Sequence, residues 1–169
     1  GRDVLYAMSP RDGSTRVLLQ SDIYDVEQAI LDPWTHRVVG GVIVEELRTQ
    51  HFLDPQLARV LETLKAAYAQ SSVQLLNWSR DRARVVVFIQ RPSDAGAYYV
   101  FEPASKRLRM VGELYPGVTG DQLGDRYAVR YPARDGTQIP AYLTLPAGRE
   151  LTGLPLVVLV HGGPTARDS

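Results

Sequence analysis

Pro155-Leu156-Val157-Val158-Leu159-Val160-His161-Gly162-Gly163-Pro164 is the stretch on which the reading of this chain turns. Its unbroken apolar run, Leu156 to Val160, suits a strand buried on both faces, as in a sheet covered by helices. Two adjacent glycines come directly after His161. Lacking a Cβ, they let the main chain come close to a ligand and adopt φ values that other residues resist.

Working back from this stretch, a loop over residues 146–155 comes after a hairpin, Tyr127–Tyr131 and Ile139–Leu145, closed by the turn Arg134-Asp135-Gly136. Gly117, Gly120 and Gly124, with Asp121 and Asp125, read as a linker. Residues 1–44 read as short strands with turn chemistry between them: Val4–Met8, Arg16–Gln20, Asp25–Leu31 and Arg37–Val44. Residues 72–112 repeat that layout as Val73–Ser79, Arg84–Gln90, Ala97–Phe101 and Leu108–Gly112. Asp12-Gly13-x-x-Arg16 sits opposite Asp81-x-x-Arg84, and Asp32-Pro33-x-x-x-Arg37 opposite Glu102-Pro103-x-x-x-Arg107. The offsets are 68 residues (Arg16 to Arg84) and 70 residues (Arg37 to Arg107). Two four-stranded meanders in tandem are the mark of propeller blades, although two β-meanders of a sandwich would give the same pattern. A helix over about 55–70 lengthens the spacing. Asp54 is its N-cap, Pro55 its first residue, and Leu57, Val60, Leu61, Leu64 and Tyr68 form one apolar face.

Composition narrows the function classes. Lys+Arg and Asp+Glu both number 19, so the formal net charge is zero and no bulk electrostatic case exists for nucleic acid or anionic membrane. Hydrophobic residues at 44% and charged residues at 22% fit a folded globular chain. The absence of cysteine excludes disulfides, thiolate metal sites and a Cys nucleophile. His36, His51 and His161 are too dispersed for a metal centre, and neither a metal nor a cofactor is expected. The first residues carry no signal-peptide pattern, and no apolar run reaches the ~20 residues of a spanning helix. The compartment stays open, bacterial cytoplasm and periplasm fitting equally.

The series Tyr131-x-x-Arg134-Asp135-Gly136-x-x-Ile139-x-x-Tyr142-Leu143-x-Leu145-Pro146 resembles the opening hairpin of the hydrolase domain in the prolyl oligopeptidase (S9) family of serine peptidases. Residues 155–164 are similar to the strand and oxyanion loop of its acylaminoacyl-peptidase and dipeptidyl-peptidase branches. Thr165-Ala166-Arg167-Asp168-Ser169 is similar to their continuation. Asp32-Pro33-x-Thr35-x-Arg37-Val38-Val39-Gly40 and Ser79-Arg80-Asp81 look like their last propeller blades. The resemblance implies a mixed fold: the C-terminal part of a β-propeller over residues 1–120, a linker over 121–126, and the start of an α/β-hydrolase domain over 127–169.

It also implies a chemistry. Acyl transfer passes through a tetrahedral oxyanion that needs preorganised donors, each worth roughly 3 kcal/mol. α/β hydrolases place one donor in the loop leaving a buried strand. The Gly163 amide takes that part by resemblance, Gly162 shapes the turn, and His161 orders the loop. His161 is not the base, which in this family lies near the far C-terminus. The resemblance implies short peptides as substrates and a Ser-His-Asp triad beyond residue 169. No G-x-S-x-G occurs in the chain, and Ser93, Ser105 and Ser169 lack that setting. Both ends read as cut from something longer, so the chain is expected to be inactive alone. It is also expected to self-associate through its sheet edges and the strand Leu156–Val160. An esterase-like hydrolase is an alternative, with Pro164 standing where such enzymes carry a third glycine. A propeller-type binding module without catalysis is another.

Overall fold

Short alternating segments broken by Asp, Gly and Pro leave little besides antiparallel pairing to satisfy the backbone, and the chain forms hairpins almost throughout. The computed structural model describes residues 2–45, 48–92, 94–150, 152–160 and 162–163. Its strands are β1 (Leu5–Met8), β2 (Thr15–Leu19), β3 (Val26–Leu31), β4 (Val38–Val44), β5 (Arg48–Phe52), β6 (Ser72–Trp78), β7 (Val85–Gln90), β8 (Ala97–Glu102), β9 (Arg107–Glu113), β10 (Arg126–Pro132) and β11 (Gln138–Thr144). One α-helix, α1 (Pro55–Ala67), separates β5 from β6.

The second expected meander is present as the antiparallel sheet β6-β7-β8-β9. Along β7, Val85, Val87 and Ile89 are buried while Val86, Phe88 and Gln90 are less so, the period-two signature of a half-covered strand. The first expected meander is not a single sheet. β1 and β2 pair only with each other, and β3-β4-β5 form a separate three-stranded sheet. The sequence pattern does not predict β5. Its residues Arg48-Thr49-Gln50-His51-Phe52 carry no apolar run, so nothing in the pattern distinguishes them from a loop.

This regrouping corrects the repeat. The β3–β4 and β6–β7 hairpins are the equivalent pair, each with a residue of positive φ shortly before the returning strand: His36 at 56° and Arg82 at 57°. They lie about 46 residues apart, near the ordinary blade period rather than the longer offsets. The mostly antiparallel architecture, with a single α-helix among the described residues, is consistent with a piece of a β-propeller-like structure.

Helix α1 binds the two sheets together. Leu57, Val60, Leu61 and Leu64 are each at most 5% exposed and join Val39, Val73, Leu75, Trp78, Val85, Val87, Ile89 and Phe101 in one core. Each such side chain removed from water contributes about 1.5–3 kcal/mol. Side chains also bridge the sheets. The Gln50 amide on β5 accepts from Leu75 N–H (2.8 Å) and donates to Leu75 C=O (3.0 Å), standing in for a missing strand along β6.

The expected hairpin is present as β10–β11, with pairing that runs from Arg126↔Thr144 to Pro132↔Gln138. Gly136, at φ 84°, closes its turn by donating to Ala133 C=O. The strand expected over residues 156–160 is not formed. These residues are unpaired and 71–88% exposed, because a strand of this kind needs neighbours on both edges, and no described strand lies beside it.

Candidate functional site

Two places carry chemistry-bearing residues: the glycine loop singled out by the sequence, and a buried polar cluster where the two sheets meet.

In the loop, Gly163 has φ 128°, a conformation that favours glycine, and a Cβ added to Gly162 would meet no atom within 4 Å. The backbone therefore calls for glycine at Gly163, whereas at Gly162 the space a side chain would occupy is open. His161 and Pro164–Ser169 lie outside the described residues, so the loop-ordering part expected of His161 and the expected match over 165–169 do too. Ser93 is likewise outside them. Ser105 donates to Glu102 Oε2 (3.1 Å) at the β8–β9 turn and is an ordinary turn residue.

The second place has no motif in the sequence to mark it. Asp32, in the turn after β3, is 4% exposed and accepts four hydrogen bonds: from Trp34 N–H (3.0 Å), Thr35 N–H (2.8 Å), Thr35 Oγ1 (3.0 Å) and the Trp78 indole (3.0 Å). Arg82, from the β6–β7 turn, reaches Asp32 Oδ2 with Nη2 (3.4 Å) and Asp54 Oδ2 with Nη1 (2.6 Å). Asp54 also caps α1, accepting from Gln56 N–H (3.0 Å) and Leu57 N–H (3.1 Å). The Trp34 indole donates to Trp78 C=O (2.8 Å), and the Arg80 guanidinium lies 5.3 Å from the Trp34 ring centre. One guanidinium thus ties both turns to the start of the helix.

The electrostatics arise from this packing. Burial works against an ionised Asp32, but the Trp78 indole, the Thr35 and Trp34 amides and the Thr35 hydroxyl outweigh it and hold the carboxyl well below the usual range. Burial likewise opposes ionisation of Asp54, which Arg82 and the helix amides reverse. Arg82 is held more firmly protonated by its bond to Asp54. A fully bonded carboxylate with its lone pairs committed is a poor proton acceptor, and the cluster organises structure rather than chemistry. Asp32-Pro33 and Asp54-Pro55 are legible as a turn and a cap; that Arg82 joins them needs the fold.

Among the described residues, no group of three His, Cys, Asp or Glu side chains could hold a metal ion. His51 Nε2 is buried without a hydrogen-bond partner, 3.9 Å from Glu45 Oε1, while the side chain as a whole is 39% exposed. No described helix is long and apolar enough to cross a membrane.

The chain is 30% identical, over 173 aligned positions, to dipeptidyl aminopeptidase BIII of Pseudoxanthomonas mexicana. The alignment takes in 98% of this chain and 25% of that protein, so the chain spans about a quarter of the length of the curated relative it matches. No family model matches the chain. No solved structure matches it either. The likeness supports a distant relationship to a peptidase and runs through both the antiparallel sheets and the glycine loop.

Proposed function

We propose that the chain is part of a serine peptidase of the prolyl oligopeptidase (S9) family, in its acylaminoacyl-peptidase or dipeptidyl-peptidase branch, that hydrolyses short peptides. The observation that carries this reading is the likeness to a dipeptidyl aminopeptidase along 98% of the chain. Residues 1–120 belong to the end of a β-propeller, 121–126 to a linker, and 127–169 to the beginning of an α/β-hydrolase domain. The Gly163 amide is one donor of the oxyanion hole, Gly162 gives the loop its shape, and His161 orders it. A Ser-His-Asp triad beyond residue 169 supplies the nucleophile, base and orienting carboxylate. The 169 residues alone are then inactive and, through the exposed run at 156–160, self-associate.

The test compares the full-length protein with this chain. Full-length protein labelled by a fluorophosphonate and turning over dipeptidyl anilides faster than short acyl esters supports the reading. Preference for the esters favours an esterase-like hydrolase, and absence of labelling in folded protein favours a binding module; either outcome overturns it.

A further inference from the structure

The chain is neutral overall, but its charge is not evenly spread. Strand directions decide which turns share an end. In β6-β7-β8-β9 the turns β6–β7 and β8–β9 leave from the same end. The β3–β4 turn joins them, because Asp32 and Trp34 bond Trp78 and Arg82. The Asp3 carbonyl accepts from Val26 N–H (3.0 Å), and the Asp3 amide donates to Asp25 Oδ1 (2.8 Å). That places the start of β1 beside the start of β3, so the β1–β2 turn points the same way. The β1–β2, β3–β4, β6–β7 and β8–β9 turns therefore project from one end.

That end carries exposed Arg11, Arg37, Arg80, Arg84, Lys106 and Arg107. Its surface carboxylates are Asp12, Asp81 and Glu102, and each is turned into its own hairpin. Asp12 accepts from Ser14, Asp81 from Ser79 and Ala83, and Glu102 from Ser105. Asp32 and Asp54 are turned inward and share the one positive charge of Arg82, so with Arg82 this end carries seven cations against five carboxylates and keeps a positive excess. Among the described residues none of the six cations makes an ion pair within 4 Å, although Arg84 acts on Asp81 through space. The opposite end is the reverse. There Arg48 pairs with Glu27, and Arg91 with Asp94 (3.7 Å), leaving Asp3, Asp22, Asp25 and Glu113 against Arg2.

At the basic end Trp34 is 47% exposed with Arg80 stacked on it. Tryptophan and arginine are the residues that most often anchor protein contacts, and a rim of one sign favours a partner of the other. We infer that the hairpin end of the two sheets is a docking face for an acidic polypeptide segment, with Trp34 and Arg80 at its centre and the remaining cations steering approach. This stands independently of the peptidase reading, since it uses neither the glycine loop nor a triad.

The experiment titrates the chain with an oligoglutamate peptide and monitors Trp34 fluorescence and peptide anisotropy. Saturable binding is expected at an ionic strength of roughly 0.01 M. It should weaken about tenfold or more near 0.1 M, as the Debye length falls from about 30 to about 10 Å. Arg37→Gln with Arg107→Gln weakens it about tenfold, whereas Arg2→Gln with Arg91→Gln, an equal change of charge at the other end, leaves it unaltered. Trp34→Phe abolishes the fluorescence change and weakens binding. All these side chains are exposed, and an unchanged circular dichroism spectrum checks folding. The inference is overturned by absence of binding at low ionic strength or by equal weakening in the two double variants. Tighter binding of oligothymidylate or of phosphatidylserine vesicles overturns it too. So does a salt-sensitive dimer that excludes the peptide, which would make a second copy the occupant.

Discussion

Replacing Arg82 by methionine keeps an aliphatic stem but removes the cation between Asp32 and Asp54. The short bond to Asp54 (2.6 Å) is a charged hydrogen bond, worth about 1.5–3 kcal/mol. The longer contact to Asp32 (3.4 Å) contributes less, because Asp32 keeps its other four donors. Breaking a fully buried pair costs about 3–5 kcal/mol, but Asp54 is 20% exposed and water can reach it once Arg82 is gone. The expected loss is therefore about 3 kcal/mol, or a fall in Tm of about 6–12 °C for a chain of this size. Urea unfolding is the assay, with the midpoint falling at constant slope. Arg82→Lys, which keeps the charge but not the fork, should recover about half of the loss. A double-mutant cycle with Asp54→Asn should show coupling of about 1–2 kcal/mol, and the Gln56 and Leu57 amides should exchange faster. A loss under about 0.5 kcal/mol, or a cycle that is simply additive, refutes the claim that Arg82 joins the turns to the helix.

Acid should destabilise the chain through the same cluster. Asp32 and Asp54 have folded pKa values below their unfolded ones, so their contribution is full above about pH 4 and is lost as pH falls further. Asp32→Asn should be less stable at neutral pH yet flatter against pH between about 4 and 2, as measured by urea midpoints across that range. Gly40→Ala should cost about 2–3 kcal/mol, since its Cβ would lie 2.4 Å from the His51 carbonyl oxygen. Gly13→Ala, strained at φ 71° but in open space, should cost only about 1–2 kcal/mol, so equal urea midpoints would contradict the packing of β4 on β5. If the chain self-associates as proposed, Val158→Asp with Leu159→Lys should convert it to a monomer in light scattering; unchanged mass would place the contact elsewhere.

The elements read correctly from sequence are those whose cause is local. Asp54-Pro55 with apolar residues at three- and four-residue spacing is sufficient for α1, and Asp135-Gly136 between alternating segments is sufficient for β10–β11. What failed depended on pairing. β5 is a strand because Gly40–Val44 offers it an edge and because Gln50 reaches Leu75, neither of which shows in its own residues. The repeat is misregistered in the sequence because Asp-Gly and x-Pro steps recur in any turn, whereas the equivalence of His36 and Arg82 rests on a positive φ that their residue types do not announce. At the candidate site the glycine loop is legible from composition, while the Asp32–Arg82–Asp54 cluster joins residues from three separate turns. An arginine in a turn has no sequence mark distinguishing it from its solvated neighbours Arg80 and Arg84.

The corrected register also explains why a helix stands beside a three-stranded sheet. Ser9-Pro10, Asp54-Pro55 and Glu102-Pro103 recur about 45 and about 48 residues apart, each at or just after the end of a strand. In the first and third cases the chain turns back as β2 and β9; in the second it enters α1. The shared opening does not select between these outcomes, since proline at this position suits both a turn and the first residue of a helix. The residues after the proline make the choice. Beyond Pro103 comes Lys106 at φ 53°, which reverses the chain, and then the half-buried Leu108 flanked by exposed Arg107 and Arg109, a strand-like alternation. Beyond Pro55, Leu57, Val60, Leu61 and Leu64 recur with helical spacing, and the Asp54 carboxylate is engaged by the helix amides and Arg82. In place of the turn that makes a fourth strand, the second unit has a cap that makes a helix. Because that cap is bonded to Arg82 of the next unit, the exchange of strand for helix also supplies the contact that fixes the two sheets together.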